Sequence, residues 1–254
     1  MSALLFDSHA HYDDARFDED RNALLASLPS QGVELVINAA TCPASVQKTL
    51  EMAGKHPHVY AAIGVHPSEL DTADFHFIDE LKRWYAHEKV VAVGEIGLDY
   101  HYDTFPRELQ REWFERQLQL AVELDAPVIV HDREAHEDTL NLLAKYRPRG
   151  VVHCFSGSVE MMRDVVKLGM YIGLGGAVTF HNAKKPCEVA AAVPIDRLLI
   201  ETDCPYMAPV PLRGKRCDST MMTYTADVIA GLRGVSADEI IEHTNRNARE
   251  LFGI

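Results

Sequence analysis

The sequence predicts an α/β protein that folds as a single (β/α)₈ TIM barrel, with one domain spanning residues 1–254. Short apolar segments alternate with amphipathic helical segments at intervals of about thirty residues, which indicates repeated strand–helix units. Each strand segment is apolar throughout rather than at every second residue, as is typical of a parallel sheet buried on both faces. A chain of 254 residues has the usual length of such a barrel, and no linker or low-complexity segment divides it.

Eight segments have the length and the apolar character of buried strands. They span residues 4–11, 34–39, 59–64, 90–95, 127–131, 150–155, 170–173 and 197–201. Gly175 and Gly176 follow the seventh strand and predict a glycine-rich loop on the way to the eighth.

The helices are predicted from apolar residues that recur at intervals of three and four residues. Leu24 and Leu28 lie on one face of the first helix, and Pro29 marks its end, while Trp113 and Leu120 belong to the stripe of a longer helix. The first predicted segment, residues 13–28, is either a helix or a loop followed by a helix. The other predicted helices span residues 45–53, 75–87, 107–124, 134–146, a segment ending at 168, 220–232 and 236–252.

The composition is that of an ordinary globular protein, with 47% hydrophobic and 25% charged residues. A net charge of −13 argues against non-specific nucleic-acid binding through a basic surface, although it leaves room for a local basic patch or for a phosphate substrate neutralised by metal ions. Five scattered cysteines without a CxxC pair predict a reduced, cytoplasmic compartment. No secretory signal, membrane span or motif for an obligate protein partner is evident.

The first strand runs into two histidines, His9 and His11, one residue apart. In an extended chain, residues i and i+2 point to the same side, so both imidazoles can face one metal ion. Four later strands also end in residues that bind metals, namely Glu95, His131, His153 and Asp203. Because the carboxyl ends of the strands meet at one mouth of a barrel, we expect all six side chains to lie together.

Each of these residues has a structural alternative. His131 and His153 suit hydrogen-bonded core histidines, and Glu95 and Asp203 suit helix caps or ion pairs. As a set, four histidines and two carboxylates exceed the three protein ligands of a typical catalytic zinc and indicate a two-metal site. Glu95 is the predicted bridge, and Asp203 is the predicted ligand and proton acceptor for an attacking water. The predicted reaction is hydrolysis.

Five ordered motifs carry a family resemblance over essentially the whole chain. They are Phe6-Asp7-Ser8-His9-Ala10-His11, Gly94-Glu95-Ile96-Gly97-Leu98-Asp99-Tyr100, Val130-His131-Asp132-Arg133, His153-Cys154-Phe155-Ser156-Gly157 and Glu201-Thr202-Asp203-Cys204-Pro205. Together they resemble the TatD family of metal-dependent deoxyribonucleases, within the amidohydrolase-like barrels. The resemblance implies a hydrolase of DNA phosphodiester bonds that uses two divalent ions (Zn, Mn or Mg) and acts as a 3′–5′ exonuclease on DNA ends or single strands. It also implies the same six metal ligands.

The chain departs from the family at Arg216-Cys217-Asp218-Ser219, where the family often has Arg-Asn-Glu-Pro. The charge of Arg213, Lys215 and Arg216 remains, so a role facing phosphate stays a hypothesis, and the fine substrate preference is open.

Several residues near the strand ends are predicted to bind substrate or to support the ligands. The substrate-binding set is His66, Arg133, Tyr206 and Arg216, with Tyr100 and Tyr102 as further stacking surfaces and Glu201 as support for a ligand. The alternatives are a rim turn fixed by Pro67 for His66, a salt bridge for Arg133, and simple packing for the tyrosines.

Two other functions are compatible with this pattern. The same barrel and metals suit an esterase or amidohydrolase acting on a D-aminoacyl-tRNA, a lactone or a cyclic amide. The fourth strand, however, ends in Glu95 and not in the lysine that binuclear amidohydrolases commonly carboxylate, which favours the nuclease. The remaining alternative is a non-catalytic scaffold that retains the metals.

Overall fold

The computed structural model describes residues 3–102 and 104–254, and it confirms the predicted barrel. Eight parallel strands neighbour one another in chain order. They are β1 (Leu5–Ala10), β2 (Val33–Ala39), β3 (Val59–Ile63), β4 (Val90–Asp99), β5 (Val128–Arg133), β6 (Gly150–Val152), β7 (Tyr171–Leu174) and β8 (Leu198–Ile200). The chain after β8 closes the barrel on β1, since the Asp203 N–H donates to the His9 carbonyl at 2.9 Å and the His11 N–H to the Cys204 carbonyl at 2.8 Å.

Helices follow the strands and form the outer layer. They are α1 (Arg21–Ser27), α2 (Pro43–Lys55), α3 (Phe77–Trp84), α4 (Arg107–Glu123), α5 (His136–Tyr146), α6 (Val159–Lys167), α7 (Lys184–Ala192), α8 (Met222–Arg233) and α9 (Ala237–Phe252). Among the described residues, none of these helices combines the length and the apolar character needed to cross a membrane.

Burial of apolar strand residues accounts for the fold. All ten residues of β4 are buried, as a sheet covered on both faces requires. The last helix is fixed to the first strand by packing of Phe252 against Phe6, with ring centroids 6.2 Å apart. Each such fully buried side chain contributes roughly 1.5–3 kcal/mol to the free energy of unfolding.

The fourth strand is longer than predicted: it continues to Asp99, so Glu95 lies within the strand and not at its end. Pairing with β5 extends it, because Gly97 lies beside His131 and Asp99 beside Arg133. Gly97 has φ of 147°, and a Cβ there would lie 2.0 Å from the His131 carbonyl oxygen, so only glycine allows this approach.

Three other segments are defined more closely by the structure than by the sequence. The connection from β7 to β8 contains a helix, α7, which has only two buried residues and therefore a weak apolar pattern. Of the segment 13–28, predicted as a helix or as a loop followed by a helix, the structure has the second form: the α-helix is Arg21–Ser27, and the Arg21 guanidinium donates to the carbonyls of the turn before it. The sixth strand ends at Val152, and His153 follows it.

Candidate metal centre

Six polar side chains converge where the strands end at the mouth of the barrel. They are His9, His11, Glu95, His131, His153 and Asp203, supplied by β1, β4, β5 and the residues after β1, β6 and β8. All six are buried or nearly so, in a region otherwise lined by the apolar strands. The sequence prediction that these residues lie together agrees with this geometry, and their roles as ligands stay a prediction.

Glu95 lies at the centre of the cluster, with one carboxylate oxygen facing each of two histidine pairs. Its Oε2 is 3.4 Å from Nε2 of His9 and 3.3 Å from Nε2 of His11. Its Oε1 is 2.8 Å from both Nδ1 of His131 and Nε2 of His153. This is the arrangement that a carboxylate needs to bridge two ions.

Asp203 belongs to the first histidine pair. Its Oδ1 lies 3.3 Å from Nε2 of His11 and 3.7 Å from Nε2 of His9. The two groups are therefore unequal: one offers four donors including Glu95, and the other offers three. Either number leaves room for water or substrate on a divalent ion.

The hydrogen bonds of the imidazoles show that the donor set fits cations. Nδ1 of His11 lies 2.8 Å from the Ala39 carbonyl oxygen, an acceptor, so Nδ1 carries the proton and the Nε2 lone pair of the neutral ring faces inward. That lone pair meets Nε2 of His9 at 3.0 Å and the Glu95 carboxylate. A ring lone pair and a carboxylate oxygen that face each other at 3.3 Å repel unless a proton or a metal ion lies between them.

The electrostatics of the cluster also favour positive charge. Burial alone would raise the pKa of Glu95, but the imidazoles, foremost His153 and His66, hold it well below its usual value. Burial opposes protonation of His11, yet the carboxylates of Asp203 and Glu95 raise its pKa well above the ordinary value. Burial would likewise lower the pKa of His153, but the negative charge of Glu95 has the larger effect and raises that pKa to about 10. Protons thus occupy positions that cations would take.

We expect divalent ions to displace these protons. Because His11 and His153 have raised pKa values, both are protonated at neutral pH in the metal-free protein and must lose a proton before they bind an ion. Metal affinity should therefore increase with pH up to about 10, the pKa of His153. Calorimetry in buffers of different ionisation enthalpy measures the protons released, and binding without proton release would contradict this picture.

Asp99 belongs to the candidate site, although the sequence analysis did not include it among the site residues. Its Oδ2 lies 3.1 Å from Nε2 of His131, which fixes the proton on Nε2 and turns Nδ1 toward Glu95. A signal existed in the sequence: Asp99 follows Glu95 by four residues, and an even spacing along a strand places both on one face.

Replacing Asp99 by asparagine should weaken metal binding. In Asp99→Asn, an amide oxygen can still accept from the His101 N–H, but the NH₂ group would face Nε2 of His131 and favour the wrong tautomer. We expect about a 10–100-fold loss of metal affinity, measured by competition with a chelator. Unchanged affinity, matching the exposed control Asp227→Asn, would show that Asp99 does not orient His131.

His66 also lies in the cluster, with Nε2 3.4 Å from Oε1 of Glu95. The Ser68 backbone N–H donates to Nδ1 of His66 at 3.1 Å, so Nδ1 is the acceptor and Nε2 of the neutral ring carries the hydrogen. His66 therefore presents an N–H to the site, and this tautomer makes it a poor metal ligand.

Of the other predicted residues, Glu201 lies beside a histidine in space, and Arg133 lies near one in the sequence. Oε1 of Glu201 is 3.7 Å from Nδ1 of His153, too far for a hydrogen bond, and it accepts from the Cys154 N–H. Arg133 follows His131 by two residues, and its guanidinium stacks over the Tyr102 ring at 4.7 Å. These positions are compatible with the predicted support and phosphate roles, which stay predictions.

Tyr206 and Arg216 lie farther out on the rim. The centroid of the Tyr206 ring is 6.5 Å from that of the His11 ring. The Arg16 guanidinium stacks on the face of Tyr206, 3.9 Å from the ring centroid. Arg216 forms two hydrogen bonds with Asp20, at 2.8 and 2.6 Å, so its charge is already paired within the protein. Tyr100 donates to Asp138 and packs at the side of the barrel.

An eight-stranded parallel barrel with histidine and carboxylate donors at its mouth defines the class of metal-dependent barrel hydrolases. A family model described as TatD related DNase matches residues 6–253. The protein named uncharacterized metal-dependent hydrolase YabD, from Bacillus subtilis (strain 168), is 41% identical over 99% of this chain and 100% of its own. YcfH of Escherichia coli (strain K12), which has the same description, is 38% identical over 99% of this chain and 96% of its own.

The crystal structure of YjjV, a TatD homologue from Escherichia coli K12, superposes with a TM-score of 0.93 at 34% identity and covers all of both chains. The chain therefore belongs to the TatD family of metal-dependent hydrolases.

Proposed function

We propose that the protein hydrolyses phosphodiester bonds at DNA ends or in single-stranded DNA, using two divalent ions held by the six-residue cluster. The observation that carries the proposal is the position of Glu95, whose two carboxylate oxygens each face two histidine nitrogens. The family model, named for DNases, supports the choice of substrate. The 3′–5′ polarity and the cytoplasmic location remain predictions from the sequence.

The ions, when bound, would lower the pKa of water and offset the negative charge of the phosphoryl group. In this proposal, Asp203 accepts the proton of the attacking water. Burial would raise its pKa, but His11 foremost holds that pKa below the usual value, so the carboxylate is ionised at neutral pH. Its side chain is 19% exposed, against 4% for Glu95, so Asp203 remains reachable from the mouth.

We propose that two residues, Arg133 and His66, hold the phosphate. Arg133 offers a guanidinium with several donors in one plane, which suits phosphate oxygens. His66 offers the Nε2–H described above, directed into the cluster. Binding by these groups orients the phosphodiester for attack and strengthens as charge develops on the phosphoryl oxygens.

We expect His66→Ala to reduce kcat/KM by about 10–100-fold, because a hydrogen bond to a charged group contributes roughly 1.5–3 kcal/mol. The number of bound ions should not change, since His66 is not a ligand in this account. Ser68→Ala is the comparison variant: it removes the hydroxyl whose Oγ lies 2.7 Å from Nδ1 of His66, but the backbone N–H still donates to Nδ1 and keeps the hydrogen on Nε2, so most of the activity should be retained. Loss of an ion in His66→Ala would contradict the assignment.

The net charge of −13 limits how this protein can bind DNA. Two divalent ions add local positive charge at the mouth, and an end needs only a few phosphate contacts. We therefore expect weak, strongly salt-dependent affinity. Tight binding to internal duplex DNA would contradict it.

The proposal is tested with chelator-stripped protein, re-supplied in turn with Mg²⁺, Mn²⁺ and Zn²⁺. The substrates are a 3′-labelled single-stranded oligonucleotide, a lactone, a cyclic amide and a D-aminoacyl ester. Nucleotide release that depends on the metal supports the nuclease, and its pattern gives the polarity. Turnover of an ester or amide with no nucleotide release would overturn the proposal in favour of the alternative substrates.

A further inference from the structure

The two loops that follow β7 and β8 differ in charge from the rest of the chain. Residues 175–187 and 204–217 contain five of the 25 lysine and arginine residues and none of the 38 acidic residues. The five, all exposed, are Lys184, Lys185, Arg213, Lys215 and Arg216. On a chain with a net charge of −13, these loops form a local positive surface.

The two loops pack against each other and present one surface. The Val210 N–H donates to Oγ1 of Thr179 at 2.8 Å. Across the same contact, the Arg213 guanidinium stacks on the Phe180 ring at 3.7 Å. The two backbones are also in close contact, since a Cβ on Gly176 would lie 2.0 Å from the Met207 carbonyl oxygen.

Most of this positive charge is not neutralised within the protein. Arg216 is paired with Asp20, and Lys184 only approaches Glu188, at 4.0 Å. Among the described residues, Lys185, Arg213 and Lys215 form no ion pair. We call Lys185, Arg213 and Lys215, together with the Phe180 ring, the basic rim.

Helix stability does not account for the lysines. Lys184 and Lys185 occupy the first turn of α7, which has no acidic residue, although the positive end of the helix dipole disfavours cations there. The first turn of α5 follows the usual preference, with Glu137 and Asp138. Exposed cations that cost the helix some stability are better explained by an anionic partner.

We propose that the basic rim binds the sugar–phosphate backbone of a single strand whose end lies in the metal centre, an inference that rests on the proposed function. Both loops leave the same edge of the barrel as the metal donors, and the second begins directly after Asp203. Tyr206, next to His11, lies in that loop between the centre and Arg213. We expect the DNA strand to leave the cluster past Tyr206 and to follow this loop toward Arg213.

The side chains of the rim suit this partner. Lysine and arginine bind phosphates without reading sequence, which fits an enzyme that digests any end. The face of a stacked arginine–aromatic pair such as Arg213 and Phe180 offers a platform for a base, and the guanidinium edge remains free to donate to phosphate. The rim should therefore make binding depend on strand length and salt, but not on sequence.

The test compares the triple variant Lys185→Glu, Arg213→Glu, Lys215→Glu with the wild type. Its matched control reverses three exposed cations elsewhere, Lys48→Glu, Lys55→Glu and Arg163→Glu, and has the same change in net charge. Hydrolysis is measured on a thymidine 12-mer and on a thymidine dinucleotide. Binding of the labelled 12-mer is measured by fluorescence anisotropy, at several salt concentrations, in the metal-loaded Asp203→Asn background.

We expect the rim variant to lose kcat/KM on the 12-mer at least about tenfold more than on the dinucleotide. The slope of log affinity against log salt should decrease in magnitude by about two, since each lost phosphate contact on a single strand removes about 0.7. The control should match the wild type in both measurements.

Several results would overturn the proposal. One is an equal loss of kcat/KM on the 12-mer and on the dinucleotide, and another is a control variant as impaired as the rim variant. A third is a wild type whose kcat/KM is the same on both substrates. The last is tighter binding of the wild type to phosphatidylglycerol vesicles than to the 12-mer. If the wild type hydrolyses no DNA, the proposed function fails. The anisotropy measurement still shows whether the basic rim binds single-stranded DNA. Binding of the 12-mer that the rim variant loses then supports it, and binding that the variant retains overturns it.

Discussion

Glu95→Gln should abolish hydrolysis while the barrel still folds. Glutamine keeps the size of Glu95 but replaces one carboxylate oxygen with an NH₂ group. An NH₂ group only donates hydrogen bonds and therefore cannot bind a metal ion. Because Glu95 is the one donor shared by both histidine pairs, the loss should exceed the 10–100-fold that is typical of residues supporting a ligand, reaching roughly 10³-fold or more.

Three measurements on Glu95→Gln separate loss of the centre from loss of the fold. These are hydrolysis with saturating metal, the number of bound ions, and cooperative thermal unfolding in the presence of chelator. The matched control is Glu137→Gln, an exposed residue of α5 that should behave as the wild type. A Glu95→Gln protein with two bound ions and full activity would remove the bridging role.

Asp203→Asn should affect the chemistry more than the metal content. Asparagine cannot accept the proton of the attacking water, and a positioned general base typically contributes about 10²–10⁴-fold to the rate. The donors on the other side of Glu95, His131 and His153, are untouched, so at least one ion should remain bound. The expected result is a fall in kcat of that size with KM little changed.

The pH profile gives a second measure of Asp203. In the wild type, activity should fall on acidification as the carboxylate and the imidazoles are protonated. In Asp203→Asn the residual rate should lose the part of this dependence that comes from the base. Asp227→Asn, an exposed aspartate of α8, is the control. A variant that retains the wild-type kcat would show that another residue accepts the proton.

The sequence was sufficient for the barrel and for the position of the donors. Apolar strands at regular intervals predict parallel units, and parallel strands in a barrel bring their carboxyl ends to one mouth. That rule alone brings His9 and His153 together, although 144 residues separate them in the chain. The topology of the barrel was enough to predict that these two side chains converge.

What the sequence could not supply depends on contacts between distant segments. The orientation of His66 follows from a hydrogen bond with Ser68, and the pairing of Arg216 with Asp20 joins residues at opposite ends of the chain. The length of β4 depends on its pairing with β5. Helix α7 was missed because it buries little, and propensity is a weak guide when tertiary packing decides.

The most direct test of the two-ion centre is a titration of chelator-stripped protein with Mn²⁺ or Zn²⁺. The number of bound ions and the rate of oligonucleotide hydrolysis are measured on the same samples. We expect saturation at two ions per chain, with hydrolysis appearing as the second ion binds. Full activity with a single bound ion, or with none, would contradict the account of Glu95 as a bridge between two catalytic ions.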